Sequence, residues 1–260
     1  MNLKIQIITF IKYSNLLKKL VARDIKVRYR KSFLGLLWTV LNPLLSMIIL
    51  TIVFSNLFKM SIANFPVYVL IGNIVFNFNS EATTQSLTSI IDNSSLIKKI
   101  YIPKYLFPIS KVASSLVNFG FSCIALLIVM IFTRADFYIL LITLWIPFIY
   151  LIMFTLGLSL ILCSVNVFFR DIGHLYSVFL TAWTYLTPLF YSIEIVPNNI
   201  KKLIYLNPMF HYVTFFRAII LDGYYPDLKE NIICFLFGLV TLIIGIIILK
   251  RTQDKFILHI

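Results

Sequence analysis

Stretches free of Asp, Glu, Lys and Arg divide the chain before any residue is weighed singly. Six are long: residues 32–58, 60–80, 112–133, 137–169, 172–193 and 231–249, spanning 27, 21, 22, 33, 22 and 19 residues. About 20 helical residues cross a hydrocarbon core about 30 Å thick. A charge at its centre costs about 2.5–3.5 kcal/mol even on the mildest scale. The windows therefore predict an all-α membrane protein with six transmembrane helices. The second window carries Asn64, Asn73, Asn77 and Asn79. The fourth, if continuous at about 1.5 Å per residue, reaches roughly 50 Å, so it is expected to tilt or project beyond the bilayer, with Pro147 as a bend. Residues 203–216, only 14 long, suit a re-entrant or interfacial segment better than a crossing.

Six spans place both termini on one side. With the termini inside, segments 1–31, 81–111, 170–171 and 250–260 hold 9, 4, 1 and 3 Lys+Arg, leaving six elsewhere: Lys59, Arg134, Lys201, Lys202, Arg217 and Lys229. That 17-to-6 bias predicts a multi-pass protein of the cell inner (plasma) membrane with cytoplasmic termini. The first 31 residues carry nine basic residues and no long apolar h-region, so no cleavable signal peptide is expected. Ile7, Phe10, Ile11, Leu17, Leu20 and Val21 fall on one helical face, flanked by Lys12, Lys18, Lys19 and Arg23. This predicts an amphipathic helix on the inner membrane surface, serving either as an anchor or as a docking element for a cytoplasmic partner. The expected organisation is an interface helix over 1–31, a permease domain over 32–249 and a tail over 250–260.

Composition agrees. Of 260 residues, 60% are hydrophobic and 13% charged, with a mean hydropathy of +0.94. A soluble domain carries about 25% charged and about 45–50% apolar residues, so soluble and disordered classes are excluded. The net charge of +13 is assigned to the cytoplasmic membrane face, and no nucleic-acid partner is expected. Cys123, Cys163 and Cys234 lie far apart in apolar runs, implying neither a disulfide framework nor a metal site.

Catalytic signatures are absent: the sequence has no GxxxxGK[ST], GxSxG or HExxH. His174, His211 and His259 stand apart. No ionisable pair is expected deep in a span, which argues against a proton-coupled carrier, and any energy source should sit on another chain. Polar residues nonetheless form helical stripes: Asn73, Asn77 and Ser80; Ser115, Asn118 and Ser122; Thr184, Thr187 and Tyr191. Such stripes serve interhelical hydrogen bonding, at about 0.6 kcal/mol each, or together line a path for a hydroxyl-rich solute. Tyr68, Phe76, Phe78, Trp183, Tyr185, Phe190 and Tyr191 flank them; amphipathic rings can stack on a sugar face, and they also serve as belt residues.

Three ordered blocks resemble a known family. Arg28-Tyr29-Arg30-Lys31-Ser32-Phe33-Leu34-Gly35-Leu36-Leu37-Trp38, with Leu41-Asn42-Pro43-Leu44 and Val53-Phe54-Ser55, forms the first. Asn166-Val167-Phe168-Phe169-Arg170-Asp171-Ile172 is the second. Pro188-Leu189-Phe190-Tyr191-Ser192, Pro197, Leu206-Asn207-Pro208-Met209 and Arg217 form the third. The pattern is similar to that of polysaccharide-export ABC permeases, which move O-antigen, teichoic acid or capsular chains. The resemblance implies a homodimer working with two copies of a cytoplasmic ATPase, which would carry the ATP and Mg; no cofactor is expected on this chain. It further implies ATPase contacts at Arg28, Tyr29 and Arg30 on the amino-terminal helix and at the Arg170-Asp171 loop. It implies an inner gate near Lys98, Lys99 and Lys104, and short re-entrant helices over 195–221, marked by Pro197, Asn207, Pro208 and Arg217. Tyr68, Asn73, Phe76, Asn77, Asn118, Trp183, Thr184, Tyr185 and Tyr191 are the expected pathway residues.

Asn42-Pro43 interrupts helical bonding and would kink the first span, whether for movement or as a static feature. Lys98, Lys99 and Lys104 suit an anionic lipid or a pyrophosphate-linked head group, or a plain positive-inside loop. The expected function is thus that of a non-enzymatic permease subunit exporting lipid-linked polysaccharide. A same-architecture exporter of a drug or simple lipid, a membrane-embedded transferase and a purely structural subunit are the alternatives.

Overall fold

A computed structural model describes residues 3–30, 32, 34–57, 62–100 and 102–259, with the side chains of 3–12, 29 and 55–57 outside the described set. Its helices are α1 Leu3–Tyr29, α2 Trp38–Thr51, α3 Phe65–Asp92, α4 Ser94–Lys99, α5 Leu106–Phe132, α6 Trp145–Phe168, α7 Ile172–Leu186, α8 Asn198–Tyr205, α9 Pro208–Ile220, α10 Leu228–Thr252 and α11 Phe256–His259. No strand occurs among the described residues. Four helical segments there are long and apolar enough to cross a membrane: Gly35–Phe54, Leu106–Phe132, Ile139–Phe168 and Leu228–His259. The other two expected spans correspond to α3 and α7, which are more polar and shorter respectively.

The helix boundaries follow local chemistry. Pro43 lies inside α2, and the helix continues to Thr51 before widening into a π-helical turn, Ile52–Leu57. α3 opens with Pro66 in its first turn, where a missing N–H leaves no helical bond unmade, and runs on through Glu81 rather than ending at residue 80. Pro147 lies in the first turn of α6, preceded by a 3-10 segment, Ile139–Leu144, so the long fourth window is a tight turn of helix feeding an α-helix. The fifth window ends early. Thr187 precedes Pro188, and a residue before proline is driven out of the helical region; Thr187 is extended at φ −101°, ψ 124°.

α3 lies at the centre and packs against α2, α5, α6, α7 and α9. Its polar residues Asn79, Thr83, Ser86 and Ser89 are buried, and several bond to neighbouring helices. Thr155 Oγ1 donates to Asn79 Oδ1 at 3.1 Å, Tyr176 Oη donates to Thr83 Oγ1 at 2.7 Å, and Asn166 Nδ2 donates to the Leu87 carbonyl at 3.0 Å. Interhelical bonds of this kind hold helices together where burying apolar surface gives no advantage over lipid. The low apolarity of α3 is therefore a consequence of its central place.

The most extensive helix–helix contact is that of α6 with α10, and glycine sets the approach. A Cβ at Gly157 would collide with the backbone of Thr241 and Leu242, and one at Gly245 would lie 2.5 Å from the Gly157 carbonyl oxygen. At Gly238 a Cβ would meet the Tyr150 carbonyl at 2.8 Å. Small residues that let backbones meet are the main device for van der Waals packing between helices in a membrane.

Gly157→Val is therefore expected to force α6 and α10 apart. Overpacking costs about 1–3 kcal/mol or more, and this substitution should lower the unfolding temperature in detergent and reduce the yield of monodisperse protein. A Cβ at Gly120 would have no neighbour within 4 Å, so Gly120→Val is expected to leave both unchanged.

Candidate functional site

Two polar constructions lie at opposite ends of the bundle. The first joins α1 to α3 and α5 around Glu81. Its Oε1 accepts from Arg28 Nη1 at 2.5 Å, Asn118 Nδ2 at 2.7 Å, Gln85 Nε2 at 3.0 Å and Ser115 Oγ at 3.1 Å. The Arg28 and Glu81 side chains remain about one-third exposed, at 32% and 31%. Beside them Asp24 pairs with Lys111 at 2.9 Å and with Arg23 at 3.2 Å, and Arg23 Nη1 donates to Asn93 Oδ1 at 3.2 Å. A cleft of about 430 Å³ runs between these elements, lined by Arg23, Asp24, Arg28, Gln85, Asp92 and Lys111 among others. The amphipathic helix is thus fastened to the central helix by charge and hydrogen bonds as well as by its apolar face, of which Leu20 is buried.

The second construction closes the break after α7. Arg217 on α9 is 7% exposed and donates to three backbone carbonyls. Nη1 reaches Pro188 O at 2.7 Å, Nη2 reaches Leu189 O at 2.9 Å and Tyr68 O at 3.1 Å, and Nε reaches Tyr68 O at 3.2 Å. The guanidinium also lies 3.4 Å from the centroid of the Tyr68 ring, a cation–π contact. A Cβ at residue 72 would come within 2.7 Å of Arg217 Nη2, so Gly72 is what admits the guanidinium. Next to it Trp183 Nε1 donates to Asn207 Oδ1 at 2.6 Å, the same oxygen accepts from the Met209 N–H at 3.0 Å to cap α9, and Asn207 Nδ2 donates to Thr187 Oγ1 at 2.8 Å. Broken backbone that is buried persists only where other groups satisfy it, and here Arg217 and Asn207 do so.

Comparison with known proteins places this arrangement. Residues 15–221 match the family model described as "ABC-2 type transporter". The chain belongs to the ABC-2 type transporter family. It is 34% identical over 219 residues to the O-antigen export system permease protein RfbA of Myxococcus xanthus, covering 83% of this chain and 84% of that one. It is 29% identical to the RfbA permease of Klebsiella pneumoniae, with 93% of each chain covered, and 26% identical to the polysialic acid transport protein KpsM of Escherichia coli, over 91% and 92%.

In this ABC-2 chain the residues singled out from sequence fall into separate groups. Asn73, Phe76 and Trp183 are buried in the core, where Phe76 and Trp183 meet edge to face at 6.0 Å. Asn118 is buried against Glu81. Asn77 and Tyr185 are exposed, Thr184 is half-buried with its hydroxyl on the Leu180 carbonyl, and Tyr191 Oη donates to the Tyr185 carbonyl at 2.6 Å. Tyr68 Oη donates to the Tyr191 carbonyl at 2.9 Å, so Tyr68, Tyr185 and Tyr191 form one chain of contacts.

The three basic residues expected at an inner gate are dispersed. Lys98 and Lys99 are exposed on the last turn of α4, whereas Lys104 Nζ donates to the Gln253 carbonyl at 2.6 Å, at the carboxy-terminal end of α10. Arg170 and Asp171 are exposed in the turn between α6 and α7; Arg30 is also exposed, and the Tyr29 side chain lies outside the described residues. Pro197 precedes α8, and Asn207 and Pro208 begin α9.

Charge-free windows miss Glu81, because the second of them ends where this charge begins. The signal lies in the spacing: Asn77, Glu81 and Gln85 follow one another at i, i+4 and i+8, continuing the polar stripe.

Reversing either partner, as Arg28→Glu or Glu81→Arg, is expected to lower the unfolding temperature. A partly exposed ion pair contributes about 1 kcal/mol, or about 2–4 °C in a chain of this size. The double reversal should recover the ion-pair part of the loss but not the three hydrogen bonds that Gln85, Ser115 and Asn118 donate to Glu81. Arg217→Lys is expected to be more damaging, since an ammonium cannot reproduce the planar fork and each carbonyl left unsatisfied costs about 1–3 kcal/mol. Thermal unfolding in detergent measures all four variants.

Proposed function

We propose that this chain is the membrane permease subunit of an ABC exporter that moves a lipid-linked polysaccharide of the O-antigen or capsule kind across the inner membrane. It performs no covalent chemistry; ATP hydrolysis, with its Mg, belongs to a separate cytoplasmic ATPase present in two copies. The observation that carries this reading is similarity over nearly the whole chain to O-antigen permeases, of which the Myxococcus protein is 34% identical.

Physical features support its parts. α3 and α7 join the four longer apolar helices as spans two and five, giving six crossings. α7 at about 1.5 Å per residue covers only about 22 Å, and the satisfied break that follows completes its passage. α8 and α9 are the re-entrant pair, and α1 is the interface helix, with Arg28, Tyr29 and Arg30 at its end and the exposed Arg170-Asp171 turn as the surfaces offered to the ATPase. The positive-inside bias supports a cytoplasmic setting for this end and for both termini.

A second copy of the chain accounts for α7. On one face it exposes Ser177 and Thr181, with Thr184 half-buried beside them; on another it exposes Leu175, Val178, Phe179 and Leu186. On α3, Asn77, Thr84 and Thr88 are exposed in line with the half-exposed Glu81. Hydroxyl and amide groups turned outward at membrane depth suit a watery passage between two copies better than lipid. Such walls hold sugars weakly at many similar sites, which lets a long chain advance.

Affinity purification of the tagged chain in mild detergent is expected to recover a P-loop ATPase at equal stoichiometry. Deleting the chain should leave completed polymer inside the cell. An intact, folded complex lacking any ATPase, or polymer still reaching the surface without the chain, would sink the reading.

A further inference from the structure

At the end of the bundle opposite the Glu81 cluster, a cavity of about 470 Å³ opens between the start of α3, the end of α5 and α9. Its volume falls in the range of about 300–1,000 Å³ typical of small-molecule sites. Among the described residues the only non-glycine residues with left-handed backbone are Asn64 at φ 47° and Arg134 at φ 51°, and both line this cavity. They are joined through Thr133, whose Oγ1 accepts from Asn64 Nδ2 at 3.2 Å.

Arg134 is the more informative of the two. The Ala135 N–H bonds back to the Met130 carbonyl at 2.9 Å, closing the end of α5, so Arg134 occupies the position after a helix where glycine is the usual residue. A long side chain there strains the backbone, and strain of this kind collects at functional sites. What the position gains is a guanidinium at the cavity rim.

Among the described residues the charges lining the cavity balance. Arg134 and Arg217 face Asp136 and Asp222, and no other charged side chain among the described residues lines it. The basin therefore offers no net field to a polyanion, while it supplies both donors and acceptors to a neutral hydroxyl-rich ligand. Asn64, half-buried on the cavity wall, brings a side-chain amide to the lining. Phe210 adds a half-buried ring to the wall, and aromatic faces suit the apolar face of a sugar.

We infer that this cavity is a saccharide-binding subsite, one per chain, that receives an uncharged sugar residue of the polymer as it leaves the bundle. The inference rests on the export reading above and goes beyond it in assigning Arg134, Asp222 and Asn64 as recognition residues. Arg134 is held there at the expense of helix-end stability.

The test uses the complete exporter in cells, with the photo-crosslinking residue p-benzoylphenylalanine in place of Ser192 on the cavity wall, and the host's own polysaccharide as probe. A parallel protein carries it in place of Leu127, exposed on the outer surface of α5, and a third in place of Tyr185. Illumination is expected to give a glycan adduct at residue 192 and none at 127. Adding Arg134→Gly or Asp222→Asn should reduce the adduct at least fivefold. Arg134→Gly should at the same time unfold at an equal or higher temperature, a combination that a purely structural role for Arg134 does not produce. An adduct at 185 but not at 192, or an undiminished adduct at 192 in both variants, overturns the subsite and leaves the export reading standing. If no position yields glycan and the surface polymer persists without the chain, both fall.

Discussion

Buried backbone cannot leave a helix unless something takes over its hydrogen bonds, and the arrangement after α7 is organised by that constraint. Pro188 ends the helix, and the carbonyls of Pro188 and Leu189 turn inward together with that of Tyr68. Arg217 takes all three. This requires a guanidinium, with its planar set of donors; it requires Gly72 opposite, where any side chain would occupy the same space; and it requires α9 to return beside α3. Asn207 performs the same service for the segment before α9 and ties it to Trp183. The short helices α8 and α9 are thus held in place by the break they accompany.

The opposite end is governed by charge rather than by orphaned backbone. Asp24 on α1 gathers Arg23 and, from α5, Lys111, while Glu81 on α3 gathers Arg28 and the amides of Gln85 and Asn118, so α1, α3 and α5 share one network. A displacement of α1 necessarily acts on Glu81 and, through Ser115 and Asn118, on α5. The path from the amphipathic helix to the centre of the bundle is therefore a few hydrogen-bonded contacts long.

Much of this is legible in the sequence, because apolarity over a membrane thickness is a local property that a window can measure. The windows over α2, α5, α6 and α10 each contain a helix, and the uncharged 203–216 stretch falls on the short helices. The periodicity that marks Leu20 as part of the apolar face finds the one side chain of α1 that is fully buried among the described residues. What windows cannot resolve are features decided by partners far along the chain. Glu81 reads as a boundary because a charge faces water by default, until Arg28 and Asn118 are seen to surround it. The fifth window runs through Pro188 because Thr187 is as uncharged as a helical residue. The aromatic and polar stripes are visible in the spacing, yet whether each faces the core or the outside depends on helix rotation: Trp183 turns inward while Tyr185, two residues on, turns out. The left-handed Arg134 gives no sequence signal at all, since a long side chain is seldom found where glycine is the usual residue.

The glycine contacts between α6 and α10 carry a mechanical consequence. Two helices whose backbones touch at Gly157 and Gly245 have no side-chain cushion between them, so neither can slide or roll without the other; interiors packed this tightly transmit force instead of absorbing it. They form a strut. Any widening of the molecule must then be borne by elements outside it, such as α2 and α7, each of which buries only two of its own residues. The Arg170-Asp171 turn joins this strut to α7, so within three residues the chain passes from the stiffest pair of the bundle to one of its least buried helices.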